Sequence, residues 1–296
     1  FSIDWSKFFT SFQTYKYWVA AITFAFFCAN FIINSLKLKI LLSACKVEQR
    51  LPGLIALHWS SNFLSNFLPT TFGGDVYKFY VLQKENQGKG EEILLSMVVS
   101  RLIGFVAMIV LNLVLASVII FTGRSLIVIG SALWWLEIGL LAGLVLLAVM
   151  WWQQSFFSNL FARIFPEKKI FDRLLSILNK LKSLPAAALL KVFALSLLYG
   201  GISCFAFSLH YWAAGIQPEY ISLFYVASLV FLSGVLPVTL NGLGLNEFIQ
   251  VVMLQELMIS SEVAVFVAFI KRVLALMYSL PGSIFLLFNN FANMRK

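Results

Sequence analysis

Two acids and two arginines could do chemistry in an otherwise apolar chain. Asp75 closes the segment Ser65-Asn-Phe-Leu-Pro-Thr-Thr-Phe-Gly-Gly-Asp75, and Glu247 closes Ser233-Gly-Val-Leu-Pro-Val-Thr-Leu-Asn-Gly-Leu-Gly-Leu-Asn-Glu247. Arg101 follows Asp75 by 26 residues (101 − 75), and Arg272 follows Glu247 by 25 (272 − 247). A guanidinium offers a planar fork of donors that suits a carboxylate or a phosphate. Each half of the chain thus carries an anion-binding group and an acid able to occupy it.

The residues around each acid set its backbone. Pro69 and Pro237 lack an amide donor and disfavour helix just before them. Gly73, Gly74, Gly242 and Gly244 permit tight turns and close backbone approach. Thr70, Thr71, Thr239 and Asn241 can cap the helix that follows, whose N-terminus attracts an anion. With Asn66 on the preceding polar arm, these residues and the two acid–arginine pairs are the expected substrate contacts. Two readings stay open: the pairs pin their loops, or the arginines also meet a phosphate for which the acid competes.

These groups must be positioned by membrane-spanning helices. The chain is 60% hydrophobic and 12% charged, with a mean hydropathy of +0.89, whereas a soluble domain carries about 25% charged residues. Five apolar runs, roughly 17–36, 93–121, 127–151, 189–213 and 263–288, meet the need for about 20 residues to cross a bilayer. Two more, near 54–82 and 221–258, are interrupted by proline and glycine. Cys28, Cys45 and Cys204 form neither a disulfide framework nor a metal motif. The net charge of +9 reads as cytoplasmic loops facing anionic lipid, not as nucleic-acid binding. The chain opens on Phe1 without a signal-peptide pattern, so an upstream span could be missing.

Charge bias sets the threading. Lys37, Lys39, Lys46 and Arg50 against Glu48 give the loop after the first span +3 (4 − 1). The segment 153–191 carries seven basic and two acidic residues, or +5 (7 − 2). Within it, residues 168–183 read as a basic amphipathic helix on the cytoplasmic leaflet. With both basic loops inside, the interrupted segments must enter and leave on one side. One is a re-entrant hairpin from the cytoplasm and the other from outside. The expected fold is a single all-α integral membrane domain over 1–296, an inverted repeat of span–re-entrant hairpin–span units. Repeat 1 covers about 17–121 and repeat 2 about 189–288, joined by a linking transmembrane helix at 127–151. Arg101 and Arg272 lie about eight and nine residues into their runs, roughly 12–14 Å deep at about 1.5 Å per residue. An arginine there costs about 2.5–3.5 kcal/mol and calls for a partner.

The remaining candidates are weaker. His58 and His210 have no ligand-spaced companions, so no metal is expected. His58, Ser60, Ser61, Asn62, Ser65 and Asn66 form a polar stripe suited to interhelical hydrogen bonds or to a wet headgroup wall. No Walker motif is present, and no catalytic constellation or cofactor site is evident, so an enzyme is not expected.

At these motifs the chain resembles the lysylphosphatidylglycerol synthase transmembrane family, the flippase-like domain proteins. The family's first motif, Asn-x-x-Leu-Pro-x-x-x-Gly-acid, is matched by Asn66-Phe-Leu-Pro-Thr-Thr-Phe-Gly-Gly-Asp75 with one extra residue, and its following Arg-Leu by Arg101-Leu102. The second, Pro-x-x-x-Gly-Gly-Leu-Gly-x-x-Glu, is matched by Pro237 through Glu247, and the later arginine by Arg272. Asn241 departs from the usual first glycine, and Asn246 from the basic residue common before the glutamate. The resemblance implies movement of charged or glycosylated lipids between leaflets. Some members carry a soluble aminoacyl-transferase domain, for which a chain ending at Lys296 has no room, so lysyl transfer is not implied. The expected function is a flippase or scramblase-type transporter of an anionic or phosphate-linked, glycosylated or aminoacylated lipid. Its partners would be a phospholipid or polyprenyl-phosphate lipid and the anionic membrane surface, with oligomerisation left open. The expected location is the plasma (inner) membrane of a prokaryote, with several passes. The alternatives are an integral membrane glycosyl- or phosphotransferase using a polyprenyl phosphate, or an accessory subunit of envelope-glycan assembly.

Overall fold

The computed structural model describes residues 4–67, 73–122, 138–143, 145, 184–217, 219–235 and 244–287. The linking helix expected at 127–151 falls mostly outside these residues, and the amphipathic helix at 168–183 wholly so. The described residues form α-helices α1 (Trp5–Thr14), α2 (Val19–Ala44), α3 (Leu51–Ser65), α4 (Gly73–Glu85), α5 (Gly90–Phe121), α6 (Ala186–Ala213), α7 (Tyr220–Val235), α8 (Leu245–Gln255), α9 (Ser261–Ser279) and α10 (Pro281–Leu287), with a short helical stretch at 138–143. Four are long and apolar enough to cross a membrane: α2, α5, α6 and the continuous Ser261–Leu286 formed by α9 and α10.

Local chemistry sets several helix ends. Asp4 accepts from the Ser6 amide at 3.0 Å at the head of α1, and Pro52 sits in the first turn of α3, where its missing donor costs nothing. Gly244, at φ 82°, precedes α8. Glu247 reaches back to accept from the Gly244 amide at 2.8 Å, satisfying a donor the helix start leaves free.

α1 is amphipathic, with Phe8 and Ser11 buried. It lays Phe8 and Phe12 edge-on against Phe266 and Phe269 of α9 and leaves Trp5 and Phe9 exposed. Beyond it, Tyr15 Oη lies 2.7 Å from His210 Nδ1, and Trp18 packs edge-on against Trp212. The start of α2 and the end of α6 therefore share one end of the bundle, here the aromatic end. At the other end Leu41, Leu95, Val99, Leu184 and Val192 pack together, gathering the end of α2 with the starts of α5 and α6. That basic end carries Lys46, whose carbonyl accepts from Lys89 Nζ at 2.6 Å.

Helices α3 and α4 form a helical hairpin. Leu54 and Leu57 pack with Leu82, and Gln49 Nε2 donates to Glu85 Oε2 at 3.1 Å, so the chain enters and leaves the hairpin at the basic end. Near its tip, Ser61 Oγ donates to the Gly74 carbonyl at 2.7 Å. Helices α7 and α8 form a second hairpin, with Ser233 Oγ donating to Asn246 Oδ1 at 2.9 Å near its tip. Its base lies at the aromatic end, where Ile221, Tyr225 and Met253 pack with Ala116 and Ile119 at the end of α5.

Each hairpin tip leans on a helix of the other half. Asn66 Nδ2 donates to Ser279 Oγ at 3.1 Å, seven residues past Arg272 (279 − 272). Leu232 packs with Met108 and Ile109, seven and eight past Arg101 (108 − 101, 109 − 101). Most of the polar stripe on α3 makes hydrogen bonds within the protein. Ser60 and Ser65 bond back into their own helix at 3.0 and 2.9 Å, and His58 Nδ1 lies 3.1 Å from the Leu54 carbonyl and 3.2 Å from Ser35 Oγ.

Candidate functional site

Asp75 lies in the first turn of α4, where the helix N-terminus favours a negative charge. Arg101 reaches it from α5 at 2.5 Å, and Lys78, one turn further along α4, at 2.8 Å. Both acid and lysine are mostly covered, at 22% and 15% side-chain exposure. The local sequence makes this possible because Gly74 has no side chain. A β-carbon there would collide with Ser65 Oγ and the Ser61 carbonyl oxygen.

Glu247 takes the matching place in the first turn of α8, but divides its oxygens. Oε2 accepts from the Gly244 amide at 2.8 Å, and Oε1 meets Arg272 at 3.4 Å. Gln250 stands where the first half has Lys78, three residues after the acid (250 − 247, 78 − 75). Its Oε1 accepts from Lys271 Nζ at 3.1 Å, while its Nε2 donates to Tyr211 Oη at 2.5 Å and to the Ala264 carbonyl at 3.1 Å. The Lys271 ammonium also sits 3.8 Å from the centre of the Phe207 ring, a cation–π contact that offsets lost hydration.

Asp75 with Arg101 and Glu247 with Arg272 are thus brought together as their spacing suggested. Each arginine lies eleven residues after the first residue of its helix (101 − 90, 272 − 261). Gly244 adopts the left-handed backbone expected of a turn glycine, and Asn66 caps the end of α3 and bridges to Ser279. Gly73 and Gly74 begin helix α4 rather than a turn, and Gly74 makes the close backbone approach expected of it, against Ser61. Thr70, Thr71, Thr239, Asn241 and Gly242 lie outside the described residues.

Sequence reasoning missed the lysines. Lys78 and Gln250 had a usable signal in their i+3 spacing from the acids. Lys37 was counted with the basic loop after the first span, but α2 continues to Ala44 and Lys37 is 5% exposed. Its ammonium lies 3.5 Å from Asn34 Oδ1 and 5.6 Å from the centre of the Tyr199 ring.

The model of the lysylphosphatidylglycerol synthase TM region matches residues 1–282. The chain belongs to this family. No curated protein and no solved structure matches it. Family membership and the four spanning helices make it a multi-pass membrane protein of lipid-related processes. Both hairpins, with their acids and arginines, fall inside the matched region.

Proposed function

We propose that the chain is a flippase or scramblase-type transporter that moves an anionic or phosphate-linked lipid between leaflets of a prokaryotic plasma membrane. The observation that carries this reading is the repeated pairing of a hairpin acid with an arginine deep in the next spanning helix, at 2.5 Å for Asp75–Arg101 and 3.4 Å for Glu247–Arg272. A lipid phosphate resembles the carboxylate it would displace, so headgroup entry exchanges one anion for another at the same guanidinium. The acyl or prenyl chains stay in the surrounding lipid.

In this reading the two hairpins are re-entrant and the halves form an inverted repeat. Its support is the correspondence of packing partners. Helix α2 packs on α3 as α6 packs on α7, α3 on α4 as α7 on α8, and α3 on α10 as α7 on α5. The hairpin bases lie at opposite ends of the bundle. Such repeats hold substrate between broken helices. Because each tip rests on the other half's arginine-bearing spanning segment, displacement of one tip is coupled to the position of the other arginine.

Reconstitution into liposomes with fluorescent phosphatidylglycerol labelled in one leaflet tests this. Wild-type protein should equilibrate the label, and Arg101→Ala and Arg272→Ala should each abolish the movement. Wild-type liposomes that stay inert while the detergent-solubilised protein transfers sugar from a polyprenyl phosphate would refute the transport reading.

A further inference from the structure

Among the described residues, Lys37 is the one Lys, Arg, Asp or Glu that is buried, at 5% exposure. No carboxylate of the described residues pairs with it; its contacts are the Asn34 amide oxygen at 3.5 Å and the face of Tyr199 at 5.6 Å. Neither neutralises the charge, and burial of an unpaired ammonium is costly. Another cation is near it. Lys78 lies within electrostatic reach. The Lys37 ammonium also rests against α5 at Gly104, where a β-carbon would lie 3.4 Å from Nζ. Gly104 is one turn past Arg101 (104 − 101 = 3). Lys78 and Arg101 are both paired with Asp75, whereas the buried Lys37 beside them has no carboxylate among the described residues.

We propose that Lys37, backed by Tyr199 and Gly104, is the buried end of an anion seat whose other cations are Lys78 and Arg101, and that it takes a phosphate monoester or diester group. Asp75 occupies the outer part of this seat. An arriving phosphate takes over Lys78 and Arg101 and brings to Lys37 the negative charge it lacks. The seat is asymmetric, because the second half answers its lysine with the Gln250 amide instead. This rests on the transport reading for its biological use but not for its chemistry.

The test uses the full chain in dodecyl maltoside at constant ionic strength, with inorganic phosphate, dihexanoyl-phosphatidylglycerol and neutral dihexanoylglycerol as probes, read by thermal melting and titration. The two phosphate-bearing probes should raise the melting temperature of the wild type, and the neutral lipid should not. Lys37→Met should weaken phosphate binding by at least about tenfold, near 1.4 kcal/mol, while melting no lower than the wild type without ligand, because it removes an unpaired charge. Lys37→Arg should retain binding. Gly104→Val keeps the lysine, fills the space beside its ammonium and should also weaken binding. Binding of inorganic phosphate alone would support a seat for the free ion, and binding of both phosphate-bearing probes a seat for a headgroup. Equal affinity in wild type, Lys37→Met and Gly104→Val would overturn the seat even if liposomes move lipid. Lys37-dependent binding with inert liposomes would instead support the seat and overturn the transport reading.

Discussion

The two hairpins repeat one plan with different electrostatics. In the first, Asp75 is held by two cations, Lys78 at 2.8 Å and Arg101 at 2.5 Å. In the second, Glu247 gives one oxygen to its own helix start and holds Arg272 at 3.4 Å, while the nearby Lys271 is absorbed by Gln250 and the Phe207 ring. The first acid neutralises a cluster; the second is chiefly a helix cap with an ionic contact. The same motif therefore gives the first acid a second cation and the second acid none three residues on, because that position is a lysine in one and an amide in the other.

The largest expected effect comes from deleting one acid at a time. Asp75→Asn removes the charge that Lys78 and Arg101 share and should cost about 2–3 kcal/mol, since the Asp75–Lys78 pair is mostly covered. Glu247→Gln keeps an oxygen for the Gly244 amide and should cost about 1 kcal/mol. Melting of the two variants in detergent compares them directly; equal losses would mean that the halves do not differ as described.

Glycine substitutions probe how each acid is placed. Gly74→Ala puts a methyl group into the Ser61 carbonyl and should cost about 2–3 kcal/mol, whereas Gly244→Ala, with no neighbour within 4 Å, pays only the left-handed backbone penalty of about 1–2 kcal/mol. A larger loss at Gly244 in the same melting assay would shift the close-packing role to the second hairpin.

The smallest net effect is expected from an exchange. Gln250→Lys alone sets a second ammonium against Lys271 and should cost about 2 kcal/mol. Adding Lys271→Gln should recover most of that loss, leaving the double variant within about 1 kcal/mol of wild type if the two residues form one coupled pair. Additive losses would show that Gln250 and Lys271 act separately.

Much of this plan is legible in the residues. The spacing of Asp75 to Arg101 and of Glu247 to Arg272 differs by one residue, and each arginine sits inside an apolar run, where an unpaired guanidinium is too costly to leave alone. The pairing follows from those two facts. Lys37 was not legible in the same way. Lys37 stands near the end of a hydrophobic run, and a count of loop charges treats such a residue as solvated. Only the Tyr199 ring and the Gly104 surface, brought in from two other helices, turn it inward. Gly74 reads as a residue of a tight turn or of a close backbone approach, with no sign of which neighbour it approaches. Its actual constraint, the Ser61 backbone, comes from a helix thirteen residues away (74 − 61).

By itself the sequence determined that the chain is helical and spans a membrane, because long apolar runs leave the backbone no other way to satisfy its hydrogen bonds in lipid. It also pointed to which acid belongs to which arginine, because a lone arginine inside an apolar run costs about 2.5–3.5 kcal/mol and calls for a partner. The tertiary structure decided the rest: that Asp75 answers two cations and Glu247 largely one, that Lys271 meets an amide, and that Lys37 meets no acid among the described residues. Those outcomes depend on which helix faces come together, and neither spacing nor hydropathy encodes the face a distant helix will present.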